Sequence, residues 1–283
     1  METSFRYTNG SNQSCFSSRT PITLPQIERY APSILAEGAH DSKGPRYSFV
    51  PTIQVLNGLA KEGFDPFEVR QTRCRDESKR SFTKHLVRLR KRGVDMSSGE
   101  APEIVLLNSH DGSSSYHLMS GMFRMICSNG LISGNIQDDI KVRHSGRIVD
   151  DVIEGAFRVL DNIALLEDNV EAFKEIDVTP AEQSLLAETA AEIRWGTDDS
   201  GTVLSPLTSN THLLRPRRWA DNKNDLWTVF NRIQENTLRG GLYGRSATGR
   251  NTRTREVVGV TENVRLNRSL WSMAEKFAEL KLA

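Results

Sequence analysis

Two histidines, an aspartate and a cysteine share one short stretch of the chain, Asn108 to Gly134, between two turn signals, Asp111-Gly112 and Asn129-Gly130. His110, Asp111, His117 and Cys127 are residue types that supply a base, a metal ligand and a nucleophile, and a cysteine beside a histidine is a recurrent solution to acyl transfer. The same residues also suit plainer roles. Asp-Gly flanked by serines is what a tight turn requires, and Cys127 sits in an apolar run, where cysteine usually acts as a small hydrophobe. The turn reading predicts that Asp111 accepts backbone N–H bonds, that Gly112 takes a positive φ and that Arg124 or Arg143 lies nearby as a cation. There is no Gly-x-x-x-x-Gly-Lys-Ser/Thr loop, no Gly-x-Ser-x-Gly elbow and no His-Glu-x-x-His helix. Without Cys-x-x-Cys or His-x-x-x-His pairs, neither a structural metal nor any other cofactor is expected.

Charge gives a second signal. Lysine plus arginine number 37 against 36 aspartates and glutamates, a net charge of +1, yet the charges are segregated along the chain. Arg70 to Arg92 is dense in cations and holds only Asp76 and Glu77 as acids. Asp150 to Asp199 is acidic, and Arg215 to Arg255 is basic again. Arg70, Arg73, Arg75, Lys84, Arg88 and Arg90 of the first block, with Tyr243, Arg245, Arg250, Arg253 and Arg255 of the second, are the residues expected to neutralise phosphates and stack on bases of a single-stranded nucleic acid. The plainer role for the first block is a charged edge hairpin protected from aggregation. The second block, glycine-rich and almost free of apolar residues, reads as a mobile basic loop at 240–255.

These residues need a scaffold. Period-two alternation over 67–75 and 82–90, with an apolar run at 103–108 and further strands at 116–126 and 140–144, predicts a mainly antiparallel sheet over about 67–144. A hairpin turn is expected at Asp76 to Lys79. Helical spacing begins at about 147, and Thr179-Pro-Ala-Glu is a capping box with proline at the first helical position. A helix from Asp225 or Leu226 stops at Gly240-Gly241, a short strand is expected at Val257 to Val260, and a terminal helix follows. Trp219, Trp227 and Trp271 are expected in the core. The chain therefore reads as α+β, with an extended or partly disordered arm at 1–45, into which Phe5, Ile22, Leu24 and Ile34 offer apolar contacts, and a single domain at 46–283.

With 37% hydrophobic and 26% charged residues, the chain can bury a core without disulfides or metals. No apolar run approaches the roughly 20 residues that span a bilayer, so no membrane partner is expected. Three cysteines, odd in number and widely spaced, suit a reducing compartment. The Ser, Asn and Thr rich N-terminus lacks the apolar region of a secretory signal, so a cytoplasmic location is the default. Oligomerisation is left open.

The runs Asn-Ser-His-Asp-Gly-Ser, Phe-Arg-Met-Ile-Cys-Ser-Asn-Gly-Leu at 123–131, Lys-Val-Arg-His-Ser-Gly at 141–146 and Asp-Leu-Trp-Thr-Val-Phe-Asn-Arg-Ile-Gln-Glu-Asn followed by Arg-Gly-Gly resemble, in order, the domain of unknown function 932 family. That resemblance covers at least Pro51 to Leu280. It implies a setting in prophages and plasmids and supplies no active site to carry over. The sheet followed by a long helix also resembles, at the level of element order, single-strand annealing proteins of the Rad52 and Redβ type. Three functions thus stand at this point: single-strand binding, with annealing as what the second resemblance implies; an enzyme using His110, His117 and Cys127; and a non-catalytic regulator or interaction protein.

Overall fold

The computed structural model describes residues 14–44, 47, 49–93, 99–125, 129–133, 140–142, 148–246 and 248–283. Phe5, Cys127, Arg143 and His144 lie outside them. The chain divides into two compact units, residues 1–130 with 136–164 and residues 131–135 with 165–283.

The first unit is built on an antiparallel sheet. Strand β1 (Cys15–Ser17) is followed by helix α1 (Leu24–Tyr30), a 3₁₀ turn over Pro32–Leu35, helix α2 (Thr52–Lys61) and strands β2 (Phe64–Gln71), β3 (His85–Lys91), β4 (Glu100–Asn108) and β5 (Tyr116–Arg124). They pair in the order β1-β2-β3-β4-β5, each antiparallel to the next. β6 (Asn129–Ile132) and β7 (Ile140–Val142) follow, and β7 pairs with β5. The stretch 15–35, expected as part of an extended arm, contributes a strand and a helix, and Ile22, Ile27 and Ile34 are buried. Thr23 and Gln26 cap α1 reciprocally and Pro25 occupies its first turn, which is how a proline-rich stretch still forms a short helix. In place of a hairpin turn at Asp76, a 3₁₀ helix runs from Glu77 to Phe82, capped by Asp76 accepting the Ser78 N–H at 3.0 Å.

Strand alternation sorts the sheet into two faces. One carries Val69, Val87, Leu89, Ile104, Leu106, Tyr116 and Leu118, packed with Ile27, Val55, Leu56 and Leu59 from the helices and with Ala156 and Val159. The other carries charge. Glu68 stands opposite Arg88, and Glu103, fully buried, accepts from Arg88 Nη1 at 2.9 Å and from Arg90 Nε at 2.7 Å. Arg88 also donates to the Gly130 carbonyl at 2.9 Å, Arg70 pairs with Glu68, and the Arg90 guanidinium lies 3.5 Å above the Phe123 ring centroid and 4.6 Å from that of Phe67. β3 is thus an interior strand, and its alternating arginines point into protein rather than solvent.

The second unit is helical. α3 (Ile148–Glu175) runs across the division between the units, and α4 (Pro180–Trp195), α5 (Leu226–Arg239), a short hairpin of β8 (Tyr243–Arg245) and β9 (Asn251–Arg253), and α6 (Val260–Leu282) follow. Helical spacing, capping and the α+β class were all present in the sequence, and the Thr179 to Glu182 capping box is formed. Asp225 caps α5 by accepting the Thr228 N–H at 2.8 Å, and Gly240, at φ +62°, ends it. α5 packs against α4 and α6 and is buried on every side, from Leu226 to Leu238. Its polar residues are satisfied inside: Gln234 donates to Asn267 at 2.6 Å, and Asn236 donates to the carbonyls of Leu213 and Arg215, each at 2.8 Å. Residues 257–259 form no strand and lead directly into α6.

Removing the carboxylate that holds two buried guanidinium groups should be severe. Glu103→Gln is expected to lower unfolding free energy by about 3–5 kcal/mol, read from the urea midpoint. A midpoint within experimental error of the parent would show that the pairing carries no stability.

Candidate functional site

The sequence-defined histidines are separated by the sheet. His110 is fully buried and packs against His85, with ring centroids 5.1 Å apart, and against Phe49 at 4.8 Å. Thr52 joins the pair: its Oγ1 lies 2.9 Å from His85 Nε2 and 3.3 Å from His110 Nε2, and it accepts from Asn108 Nδ2 at 3.0 Å. Ser33 Oγ lies 3.0 Å from His85 Nδ1 and donates to Gln71 at 2.9 Å. Burial, aided by His110, drives the His85 imidazole down to about 3, so it is neutral near pH 7. Burial likewise holds the Tyr116 phenol well above its ordinary range. His117, one position from inward-facing Tyr116, points to the other face of β5 and bonds Ser115 Oγ at 2.8 Å. The structure therefore groups His110 with His85, not with His117.

Asp111 forms the expected turn. It accepts the Ser113 N–H at 2.9 Å, and Gly112 takes φ +72°. Burial works against its charge, but hydrogen bonds from Ser113 and Ser109 and the nearby Lys43 ammonium bring it below the usual carboxylate range. The cation beside the turn is thus Lys43, not Arg124. His85, Ser33, Thr52, Gln71 and Asn108 were not singled out as site residues. The available signal was a histidine at the start of β3, in phase with the apolar Val87 and Leu89.

Three arginines of the first basic block are committed internally. Arg70, Arg88 and Arg90 are the ion-paired residues already described. Arg92 pairs with Asp65 at 2.8 Å, in a bond exposed to solvent. Burial would raise the Glu68 carboxyl, but the Arg70 and Arg88 charges bring it down to about 2. Arg73 and Arg75 are exposed and Lys84 is half-buried.

The second block is different. The stretch expected as a mobile loop at 240–255 holds two paired strands: Tyr243 pairs with Arg253, Gly244 with Thr252 and Arg245 with Asn251. Its turn is closed by the Ser246 N–H to the Arg250 carbonyl at 2.8 Å, with Gly249 at φ +75°. The hairpin docks through Gly244, which bridges to Leu207, and the Arg245 N–H donates to Pro206 at 2.6 Å. A Cβ at Gly244 would strike the Pro206 carbonyl oxygen, so only glycine permits this approach. With Gly244 inward and Leu242 buried, alternation turns Tyr243, Arg245, Asn251 and Arg253 outward, all exposed, and Arg250 and Arg255 are exposed beside them. The Arg253 guanidinium lies 4.3 Å over the Tyr243 ring and bonds its hydroxyl, and Tyr243 is still 60% exposed. Residues 240–255 contain no aspartate or glutamate.

Among the described residues, no group of three or more His, Cys, Asp or Glu is placed to hold a metal ion, and no helix is long and apolar enough to cross a membrane.

The chain is an α+β protein with a buried polar cluster in its sheet unit and an exposed cationic hairpin in its helical unit. The model of the family described as Domain of unknown function (DUF932) matches residues 39–271, and the chain belongs to that family. It is 45% identical over 255 residues to UPF0380 protein YfjQ of Escherichia coli (strain K12), covering 90% of this chain and 91% of the relative. It is 44% identical over 255 residues to UPF0380 protein YafZ of the same strain, with the same coverage. No solved structure matches, and the likeness to annealing proteins gains no support there.

The His85 shift makes a prediction about pH. A histidine protonated in the unfolded chain below about 6.5 but neutral in the fold down to about 3 stabilises fully above 6.5 and loses that contribution as pH falls toward 3. Unfolding free energy should therefore begin to drop near pH 6.5, with a limiting slope from this group of about 1.4 kcal/mol per pH unit. In His85→Gln the part of the drop that this group supplies should be absent. Identical profiles would remove His85 as the cause.

Proposed function

We propose that this protein binds single-stranded nucleic acid through the outward face of the β8–β9 hairpin. The observation that carries the reading is the grouping of exposed Tyr243, Arg245, Arg253, Arg250 and Arg255 on one ordered ribbon that lacks any acidic side chain. Guanidinium groups on the outward side of both strands and at their ends suit a phosphate backbone, which binds by charge and releases counterions. The Arg253 group covers one face of Tyr243 and fixes the ring, leaving its other face for a base. A stacking ring favours single strands, because bases in a duplex are already stacked on each other. Of the first basic block, the buried Arg88 and Arg90 play no part in this reading. Free thiols at Cys15 and Cys74 suit a reducing, cytoplasmic setting.

The test is binding of a fluorescent oligothymidylate, followed by anisotropy. Tyr243→Ala should weaken binding by about 1–3 kcal/mol, roughly 5- to 150-fold. Reversal of Arg245 and Arg253 to glutamate should weaken it further and reduce the slope of log affinity against log salt by about 0.7 per lost phosphate contact. Arg73→Glu should leave both quantities nearly unchanged. Unaltered affinity and slope in the hairpin variants, with wild-type protein binding well, would contradict the assignment.

A further inference from the structure

Trp219 was expected in the core, like Trp227 and Trp271. Those two are 3% and 1% exposed, whereas Trp219 is 89% exposed. A single exposed hydrophobe means little by itself. Its mounting gives it meaning. The 3₁₀ turn over Trp219–Asp221 is held by Arg218, whose guanidinium donates to Asp221 at 2.8 Å and to both oxygens of buried Glu235 at 2.8 and 2.5 Å. Arg217 donates to Asn236 at 2.8 Å and to the Gly240 carbonyl at 2.6 Å. Four bonds from consecutive arginines thus fix the segment Arg215-Pro-Arg-Arg-Trp to the C-terminal end of α5, the point from which the hairpin leaves. Arg215, also exposed, adds cationic charge to the same segment.

We propose that Trp219 is a second base-stacking platform, so that one single strand runs across both Trp219 and Tyr243. This rests on the nucleic-acid reading given above. Trp219 lies two residues from Arg217, and Tyr243 three from Gly240. Chain reach therefore keeps the two backbones within about 25 Å of each other across the Arg217 clamp. Single-strand binders commonly occupy about 4–16 nucleotides, and a strand in that range bridges such a gap. The occupant is chosen by charge: exposed Arg215 on the same segment as the indole, and the arginine ribbon that leaves from Gly240, call for a polyanion that also presents flat aromatic faces. The buried Glu235 is neutralised by Arg218 and by Arg239, at 2.7 Å, and offers no competing acidic surface.

The experiment is a length series of labelled oligothymidylates, from about 4 to 16 nucleotides, titrated into wild type, Trp219→Ala, Trp219→Phe and Tyr243→Ala. With long strands Trp219→Ala should lose at least about fivefold in affinity, the lower limit for one stacked base, and Trp219→Phe should recover part of the loss. The penalty should shrink as strands become too short to reach both rings. Long strands should also quench wild-type tryptophan fluorescence, and most of that quenching should vanish in Trp219→Phe. Because the side chain is exposed, Trp219→Ala should unfold at the parent temperature, which separates binding from folding. Full affinity of Trp219→Ala at every length, alongside a weakened Tyr243→Ala, would overturn the Trp219 platform while leaving the hairpin reading in place. Absence of any binding by folded wild-type protein at low salt would overturn both.

Discussion

A charge inside a protein must meet its opposite, because the desolvation penalty of an isolated ion exceeds what a fold can supply. This constraint sorts the arginines of the chain. In the sheet unit, Glu103 at the centre of the polar face takes Arg88 and Arg90, and Glu68 takes Arg70. In the helical unit, Glu235 on fully buried α5 takes Arg218 and Arg239. These pairings fix which strands neighbour which, and where the loop at 215–221 sits on α5. They also decide which cations remain to meet another molecule. The cations of the hairpin after Gly240 are exposed and grouped on one ribbon, while Arg73 and Arg75 are exposed in the sheet unit.

The hairpin inherits its orientation from one steric fact. Gly244 lies against the Pro206 carbonyl where no side chain fits, so the inward phase of β8 is set, and period two places Tyr243 and Arg245 outward. Its arms are short, yet the ladder, the Arg245 to Pro206 bond and the Gly241 to Thr254 bond at 2.8 Å tie it to the unit. An ordered ribbon loses less entropy on binding than a mobile loop would, which favours affinity at equal charge. The buried His85–His110 pair works in the opposite sense. Hydrogen-bonded and away from solvent, with His85 neutral, it specifies the junction of α2, β3 and β4 and offers no accessible base.

Much of this was legible in the chain. The strands from Phe64 to Arg124, the capping box at Thr179, the Asp225 start of α5 and the turn at Asp111-Gly112 all follow from local chemistry, and that chemistry acts within a few residues. What failed were the inferences about which charged and aromatic side chains face solvent and which histidines meet. Alternating arginines in β3 have the pattern of a solvated face, and only Glu103 on the next strand, with Phe67 and Phe123, shows them to be interior. Glycines and arginines at 240–255 have a loop composition, because a strand docked through a glycine has no apolar phase to display. Trp219 resembled its buried counterparts until the Arg218 anchor turned its backbone outward. His117 and His110 were close in sequence but fall on opposite sides of a strand edge, whereas His85, remote in sequence, is the partner that packing selects.

The most direct measurement is ultraviolet crosslinking of a radiolabelled single-stranded oligonucleotide to the intact protein, followed by peptide mapping. Crosslinks should concentrate in the peptide containing Tyr243, diminish as salt is raised and disappear with competitor single strand more readily than with duplex. Crosslinks confined to the Arg73 to Lys91 region, or a folded protein that yields none at low salt, would contradict the assignment of the hairpin as the binding surface.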